Sequence, residues 1–110
     1  MGTIRQSRVL VVDDEAPILD LVRGYLEREG FAVDTAADGG EAINLIQAKV
    51  YDVVLLDIRM PKVDGIEVLK FVKANFPGIE VLMITGVEDL KIAVECMKLG
   101  AYDYLTKPFS

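Results

Sequence analysis

The most informative run in this chain is Val53-Val54-Leu55-Leu56-Asp57-Ile58-Arg59-Met60-Pro61-Lys62-Val63-Asp64-Gly65. Its four large apolar residues in succession predict a central parallel strand that is buried on both faces. Met60-Pro61 ends that strand because proline lacks the amide hydrogen that a sheet needs, and Asp64 can cap a helix that follows. Asp57 therefore lies where a buried strand leaves the core, which is the edge at which open α/β sheets place their chemistry.

Composition and charge limit the class of protein. The 110 residues suffice for one domain with a core, and 52% of them are hydrophobic while 27% are charged, as in globular proteins. The net charge of −6 argues against direct nucleic-acid binding, because phosphate contacts need clustered lysine and arginine. No apolar run approaches the roughly 20 residues that cross a bilayer, so no membrane contact is expected. Residues 1–6 carry no signal-peptide or myristoylation pattern.

Cysteine and histidine are scarce, which narrows the chemistry further. Cys96 is the single cysteine, so the chain can form no internal disulfide and no thiolate metal cluster, and a cytoplasmic location is expected. The chain has no histidine, which excludes histidine-based catalysis and histidine metal ligation within it.

Strands and helices alternate along the whole sequence. Strands are predicted at 9–12, 31–36, 53–56, 79–84 and 101–105. Helices are predicted at 17–29 with an apolar stripe of Ile18, Val22, Tyr25 and Leu26, from the Asp38 capping box through Ile46, at 65–75 and at 88–99. Short connections between them indicate repeated βαβ units and a parallel sheet. The predicted fold is an α/β, flavodoxin-like, doubly wound sheet of five parallel strands in the order 2-1-3-4-5.

Polar residues follow four of these strands. The first strand ends at Asp13-Asp14, the third at Asp57, the fourth at Thr85 and the fifth, after one more residue, at Lys107. In a parallel sheet these ends share one edge, and strands 1 and 3 are adjacent, so the side chains should converge on one crevice. Two like unit charges about 4 Å apart repel by roughly 4 kcal/mol at an effective dielectric of about 20. A hard divalent cation relieves that repulsion, and carboxylate oxygens suit Mg²⁺.

This set of residues supports phosphoryl transfer to Asp57. A carboxylate that attacks phosphorus gives an acyl phosphate. Mg²⁺ and Lys107 would neutralise charge on the transferred group, and the hydroxyl of Thr85 would donate to one of its oxygens. Each residue alone has a commoner structural explanation as a helix cap, a turn residue or a solvated lysine. The combination is more specific, because all of its members lie at one edge of the sheet.

Together these motifs resemble the receiver domain of two-component response regulators. The resemblance covers essentially all of residues 1–110 and rests on four segments. They are Val11-Val12-Asp13-Asp14-Glu15, Leu56-Asp57-Ile58-Arg59-Met60-Pro61 with Asp64-Gly65, Thr85-Gly86, and Tyr104-Leu105-Thr106-Lys107-Pro108-Phe109. The resemblance implies a phosphorelay signalling domain that catalyses only its own phosphorylation and dephosphorylation, and not an enzyme in the ordinary sense.

The resemblance also implies how the acidic residues act. Asp57 would accept a phosphoryl group from a sensor histidine kinase. Asp14, Asp57 and the backbone carbonyl of Arg59 would bind Mg²⁺ directly, and Asp13 would act mostly through a water. The side chain at the position of Arg59 varies in the family and influences loss of the phosphoryl group.

Further roles are implied for the residues after the fourth and fifth strands. Lys107, Thr85 and Gly86 would contact the phosphoryl group. Thr85 and Tyr104 would form a switch pair, in which the hydroxyl moves toward the phosphate and the aromatic ring turns inward behind it. The family further implies a cis Lys107-Pro108 bond, which fits the weaker trans preference of proline.

The later part of the chain resembles one subgroup of the family. Residues 93–109 are most similar to receivers of enhancer-binding transcription activators, so an output part with an ATPase and a DNA-binding domain is an expected partner. Five strands with only four helices predict a receiver that is truncated before its final helix, with bare apolar surface beside the first helix. The fourth helix adds two apolar rows, Leu90, Ala93, Val94 and Met97, and Ile92, Cys96 and Leu99. We therefore expect self-association.

Three alternative functions are compatible with parts of this sequence. A haloacid-dehalogenase-type aspartyl phosphatase would have a second acid two residues after its nucleophile, where this chain has Arg59. In a flavodoxin-like cofactor module Asp13 and Asp14 would repel a flavin phosphate, and no glycine-rich dinucleotide fingerprint or P-loop is present. A receiver-like interaction module that acts without phosphorylation stays open.

Overall fold

The structure is a computed structural model that describes residues 6–107. Five parallel strands form one sheet in the order β2-β1-β3-β4-β5, which confirms the predicted flavodoxin-like α/β topology. The strands are β1 (Arg8–Val12), β2 (Ala32–Ala36), β3 (Val53–Asp57), β4 (Glu80–Thr85) and β5 (Asp103–Thr106). The helices in this part of the chain are α1 (Ala16–Arg28), α2 (Gly39–Ala48), α3 (Gly65–Asn75), a 3₁₀ turn (Val87–Asp89) and α4 (Leu90–Lys98).

The two central strands, β1 and β3, bring the acidic residues together. Both are runs of large apolar residues, and core clusters on the two faces of the sheet bury them. The larger cluster lies against α2, α3 and α4, and the smaller one lies against α1. In the parallel register Val12 pairs with Leu56, so the residues that follow, Asp13 and Asp57, emerge side by side.

α1 covers the smaller cluster with a narrow apolar stripe. Leu19, Val22 and Leu26 pack against it, whereas Tyr25, which was predicted to belong to the stripe, is 60% exposed. Leu19 therefore takes the place in the packed side of the helix that was predicted for Tyr25. The bare apolar surface expected beside this helix is present as a groove lined by Leu21, Val22, Tyr25, Leu26, Leu55, Ile84 and Leu105.

Two glycines end helices, and the strands that follow them begin later in the sequence than predicted. Gly30 and Gly100 have φ values of 95° and 110°, which favour glycine at the end of a helix. The amide of the residue after each glycine donates to a helix carbonyl five residues back. Residues 31 and 101 therefore complete helix ends, so β2 begins at Ala32 and β5 at Asp103, later than the sequence predicted.

α4 also differs from its prediction. The helix expected at 88–99 begins at Leu90, because Val87–Asp89 form a 3₁₀ turn instead. Within it Ala93 and Cys96 are buried, while Leu90, Val94 and Met97 are partly exposed, as expected for a helix that is apolar beyond its buried side.

The remaining sequence expectations concern membranes and the two ends of the chain. None of the helices in residues 6–107 combines the length and the apolar character needed to cross a bilayer. Three predictions fall outside the described residues. They are the cis Lys107-Pro108 bond, the lead-in to a further helix at 108–110 and the N-terminal pattern at 1–5.

A buried tyrosine ties β2 to the segment that precedes β3. The hydroxyl of Tyr51 donates to Oδ2 of Asp34 at 2.6 Å, and Nζ of Lys49 lies 3.4 Å from the same oxygen. Cζ of Arg8 lies 5.7 Å from the centre of the tyrosine ring. The hydrogen bond from Tyr51 lowers the pKa of Asp34 below its ordinary value, Lys49 and Arg8 add to this effect, and burial opposes it.

Replacing Tyr51 by phenylalanine should therefore lower the free energy of unfolding by about 1 kcal/mol, because a hydrogen bond to a carboxylate is lost. The folded-state pKa of Asp34 lies below its unfolded value of about 3.9, so this stabilisation is complete above that pH and is lost as the pH falls through the folded value. Chemical unfolding near pH 7 and near pH 3 measures the difference. Tyr102→Phe, at a tyrosine that is 68% exposed, is the control, and equal losses in both variants would contradict the prediction.

Candidate functional site

Three carboxylates converge where β1 and β3 end. Asp13, Asp14 and Asp57 each offer an oxygen, and these oxygens lie within 4.8 Å of one another. Asp13 and Asp57 are buried and Asp14 is exposed, so the cluster has a closed inner side and an open outer side. The structure thus assembles the acidic set that the strand ends predict.

Lys107 reaches the same cluster from the end of β5. Its Nζ lies 2.9 Å from Oδ2 of Asp13, 3.4 Å from Oδ2 of Asp57 and 3.7 Å from Oε2 of Glu15. Its backbone amide donates to the carbonyl of Thr85 at 2.8 Å, which fixes the base of the side chain. Burial by itself lowers the pKa of Lys107, but the contact with Asp13 and the charges of Asp57 and Glu15 outweigh burial and raise it. The ammonium is therefore charged at neutral pH.

Asp57 is less acidic than an ordinary aspartate. Burial raises the pKa of Asp57 to about 6, the charge of Asp13 adds to the rise, and Lys107 and the Arg59 amide oppose it. That amide donates to Oδ1 of Asp57 at 3.2 Å, and Lys107 donates to Oδ2 at 3.4 Å. At neutral pH the carboxylate is mainly ionised, although in an environment that disfavours its charge.

The donor set fits a hard divalent cation. Oδ1 of Asp13 accepts the amide hydrogen of Glu15 at 2.9 Å. Oδ2 is buried and forms an ion pair with the Lys107 ammonium at 2.9 Å. An open cleft of about 580 Å³ beside it is lined by Asp14, Asp57, Arg59 and Lys107. Carboxylate oxygens that lie within 4.8 Å of one another beside an open cleft suit Mg²⁺.

The two predicted switch residues share one face of the sheet. Tyr104 pairs with Met83, two residues before Thr85 on β4, so the tyrosine and the threonine project to the same side. Tyr104 is half-buried against the larger core cluster. The hydroxyl of the buried Thr85 donates to the carbonyl of Gly86 at 2.9 Å, and Gly86 lines the same cleft as Asp57.

Gly65 allows α3 to begin directly beneath the site. Its amide donates to the carbonyl of Ile58 at 3.0 Å, and a Cβ at this position would collide with the carbonyl oxygen of Asp57. Asp64 caps the helix as predicted, accepting the amide hydrogen of Glu67 at 3.0 Å. The close approach keeps β3, the loop after it and α3 in one fixed arrangement.

One residue at the site was missed from the sequence. Nε and Nη2 of Arg59 donate to Oδ2 and Oδ1 of Asp89 at 2.6 and 2.7 Å. This two-point contact lowers the pKa of Asp89 and raises that of Arg59. Asp89 was predicted to lie inside a helix, and no local pattern links it to a partner 30 positions earlier. Only the folded chain reveals the pair.

Comparisons with known proteins agree with this geometry. The sequence profile of the response regulator receiver domain matches residues 9–110. The alkaline phosphatase synthesis transcriptional regulatory protein PhoP of Bacillus subtilis is 43% identical over 94% of this chain and 43% of PhoP. The alginate biosynthesis transcriptional regulatory protein AlgB of Pseudomonas aeruginosa is 40% identical over 96% of this chain and 24% of AlgB. The chain thus spans less than half the length of these curated relatives.

Solved structures give the same result. The receiver domain of NtrX from Brucella abortus superposes with a TM-score of 0.89 and 39% identity, covering 93% of this chain and 87% of that domain. A response regulator receiver domain protein from Clostridium thermocellum gives a TM-score of 0.89 and 37% identity, covering 94% of this chain and 84% of the other.

The five-stranded parallel sheet, with its acidic cluster and its lysine at one edge, defines the class of signalling domains built on the flavodoxin-like fold. The chain belongs to the response regulator receiver domain family. The predicted similarity to receivers of enhancer-binding regulators is also confirmed, since AlgB and the NtrX receiver are among the matches.

The raised pKa of Asp57 predicts how the stability of the metal-free protein depends on pH. Because the folded-state pKa of about 6 exceeds the unfolded value, the favourable contribution of this carboxyl group is complete below about pH 4 and is lost as the pH rises through 6. Asp57→Asn should therefore raise stability near pH 7 by on the order of 1 kcal/mol and change it little near pH 4.

Unfolding in the presence of a chelator, across that pH range, measures this effect. Asp20→Asn, at an exposed aspartate on α1, is the matched control and should show no gain at neutral pH. A gain for Asp57→Asn that is the same at both ends of the pH range would contradict the assigned cause.

Proposed function

We propose that this domain accepts one phosphoryl group on Asp57 in a Mg²⁺-dependent reaction, and that phosphorylation changes the conformation it presents to an output domain or partner. The observation that carries the proposal is the convergence of Asp13, Asp14, Asp57 and Lys107 at one edge of the sheet. Nothing in the packing of the core requires three acids there, since their mutual repulsion opposes folding.

The chemistry follows from the arrangement of these side chains. A carboxylate oxygen of Asp57 forms the new bond to phosphorus, and the bond from phosphorus to the leaving group of the donor breaks with its electron pair. Asp57 needs no general base, because it is mainly ionised at neutral pH. Lys107 lies 3.4 Å from Oδ2 of Asp57 and can contact the oxygens of the incoming group.

A bound Mg²⁺ would be the second positive charge at Asp57, besides Lys107, and the acidic residues would hold it. Asp14, Asp57 and the backbone carbonyl of Arg59 are the direct ligands in this proposal, with Asp13 acting through a water. When bound, Mg²⁺ neutralises charge on the phosphoryl oxygens during transfer. Thr85 and Gly86 would also contact the phosphoryl oxygens in this proposal. For this the Thr85 hydroxyl must first break its hydrogen bond to the carbonyl of Gly86.

The proposed partners follow from the family and from the names of the relatives. The donor would be a sensor histidine kinase in the cytoplasm, and several relatives are named transcriptional regulatory proteins, which favours an output that controls transcription. An ATPase and DNA-binding output, and self-association through the groove beside α1, stay predictions. The complete site argues against a module that works without phosphorylation.

Incubation with acetyl phosphate and Mg²⁺ should add one phosphoryl group to the chain, as seen by intact-mass measurement. Asp57→Asn should abolish the addition, because the amide cannot serve as the nucleophile. Asp20→Asn, on the exposed side of α1, is the matched control and should be phosphorylated like the parent. Undiminished phosphorylation of Asp57→Asn would refute the assignment.

The metal role is tested separately from the phosphoacceptor role. Asp14→Ala should lose most of its Mg²⁺ affinity in a titration followed by calorimetry, because a direct oxygen ligand is removed. Chelation of Mg²⁺ should stop phosphorylation of the parent protein. An unchanged titration curve for Asp14→Ala would show that this residue is not a ligand.

The switch is expected to run from Thr85 to Tyr104. A phosphoryl group gives Thr85 and Lys107 a partner that is present only in the active state, which shifts an existing equilibrium. Amide hydrogen exchange should therefore change in α4 and β5 when beryllofluoride and Mg²⁺ are added. Thr85→Ala should lose most of this response, whereas Thr35→Ala on β2 should keep it. Identical exchange in the parent with and without the mimic would exclude the coupling.

A further inference from the structure

The cleft beside Asp57 contains two cations in different situations. Lys107 is shared among the carboxylates of Asp13, Glu15 and Asp57. Arg59 instead makes a two-point contact with Asp89 at 2.6 and 2.7 Å, while its side chain remains 69% exposed. Arg59 therefore retains further N–H donors and open space into which it can move.

Asp89 precedes α4 but does not cap it with its side chain. An aspartate at the N-cap normally accepts an amide hydrogen of the first helical turn. Asp89 stands at the N-cap of α4 with φ −107° and ψ 16°, and its side chain makes no such hydrogen bond. Its carboxylate, although buried, is directed to Arg59 instead. The contact thus joins the loop after β3 to the turn before α4.

The charges in the cleft indicate what disturbs this contact. The residues that line it include Asp14, Glu15, Asp57, Glu88 and Asp89, against only Arg59 and Lys107 among its described lining residues. A phosphoryl group brings roughly two further negative charges. Arg59 lines the same cleft as Asp57 and its side chain is exposed, so the guanidinium has room to turn toward such a group.

We propose that Asp89 is a positioning residue for Arg59. In the unphosphorylated domain Asp89 holds the guanidinium at the start of α4, and a phosphoryl group on Asp57 draws the guanidinium away, which releases Asp89 and the 3₁₀ turn at Val87–Asp89. The inference rests on the proposed function, and it adds a second connection from the phosphoacceptor to α4 beside that of Thr85.

The first test uses the free protein without metal or phosphodonor. Arg59→Ala and Asp89→Asn should each speed amide exchange of residues 87–90 by a factor of about three, the size expected for an ion pair whose arginine is exposed to solvent. Glu88→Gln removes a negative charge that acts on Arg59 only through space, without a hydrogen bond, and should change exchange much less than either variant of the pair. Asp89→Glu should restore much of the protection, because it keeps the carboxylate.

The second test measures binding of beryllofluoride with Mg²⁺. Asp89→Asn should lower the half-saturating concentration by a factor of about three, because the mimic no longer competes with Asp89 for Arg59. In an Arg59→Ala background the same substitution should have no effect. Glu88→Gln again controls for the lost charge.

The outcomes separate the inference from the proposed function. If the parent does not bind the mimic, the proposed function fails and the inference fails with it. If the parent binds the mimic but Asp89→Asn acts equally with and without Arg59, the inference alone is overturned. Unchanged exchange at residues 87–90 in both Arg59→Ala and Asp89→Asn would also overturn it.

Discussion

The site depends on one ammonium group that offsets buried negative charge. Asp13 and Asp57 emerge side by side from the two central strands, and Lys107 lies between them at 2.9 and 3.4 Å. Without that cation, two buried carboxylates would oppose the β1–β3 pairing on which the sheet is built. Lys107 can hold this position because its amide donates to the end of β4, so the last strand, the site and the core are fixed together.

This arrangement leaves negative charge at Asp57 that a bound cation can stabilise further. The carboxylate of Asp57 stays partly disfavoured, as its pKa of about 6 shows, even with Lys107 beside it. Added positive charge therefore lowers the free energy of the folded protein by more than it would at an exposed aspartate. The acidic residues of the cleft outnumber the basic ones. This excess of negative charge accounts for the cation binding proposed at Asp57 and for the proposed competition between Asp89 and a phosphoryl group for Arg59.

Much of the fold and of the candidate site could be predicted because the signals are local or topological. The apolar runs at β1 and β3 and the glycines after α1 and α4 each identify an element, and strand order then brings distant strand ends together. The misses are of another kind. Tyr25 was misplaced because both Leu19 and Tyr25 are at helical spacing from Val22 and Leu26, and only the packing shows which of them the core covers. Asp89 was missed because its partner is determined by the path of two loops.

Gly65 has a consequence for attempts to re-engineer this site. Because α3 touches the backbone of Asp57 with no room for even one methyl group, the loop after β3 cannot be exchanged as an independent module. A loop transplanted from a relative would arrive with its own preferred helix start, and any displacement of that helix would be transferred to the carbonyl of Asp57. A successful graft must therefore carry the strand end, the loop and the first turn of α3 as one cassette.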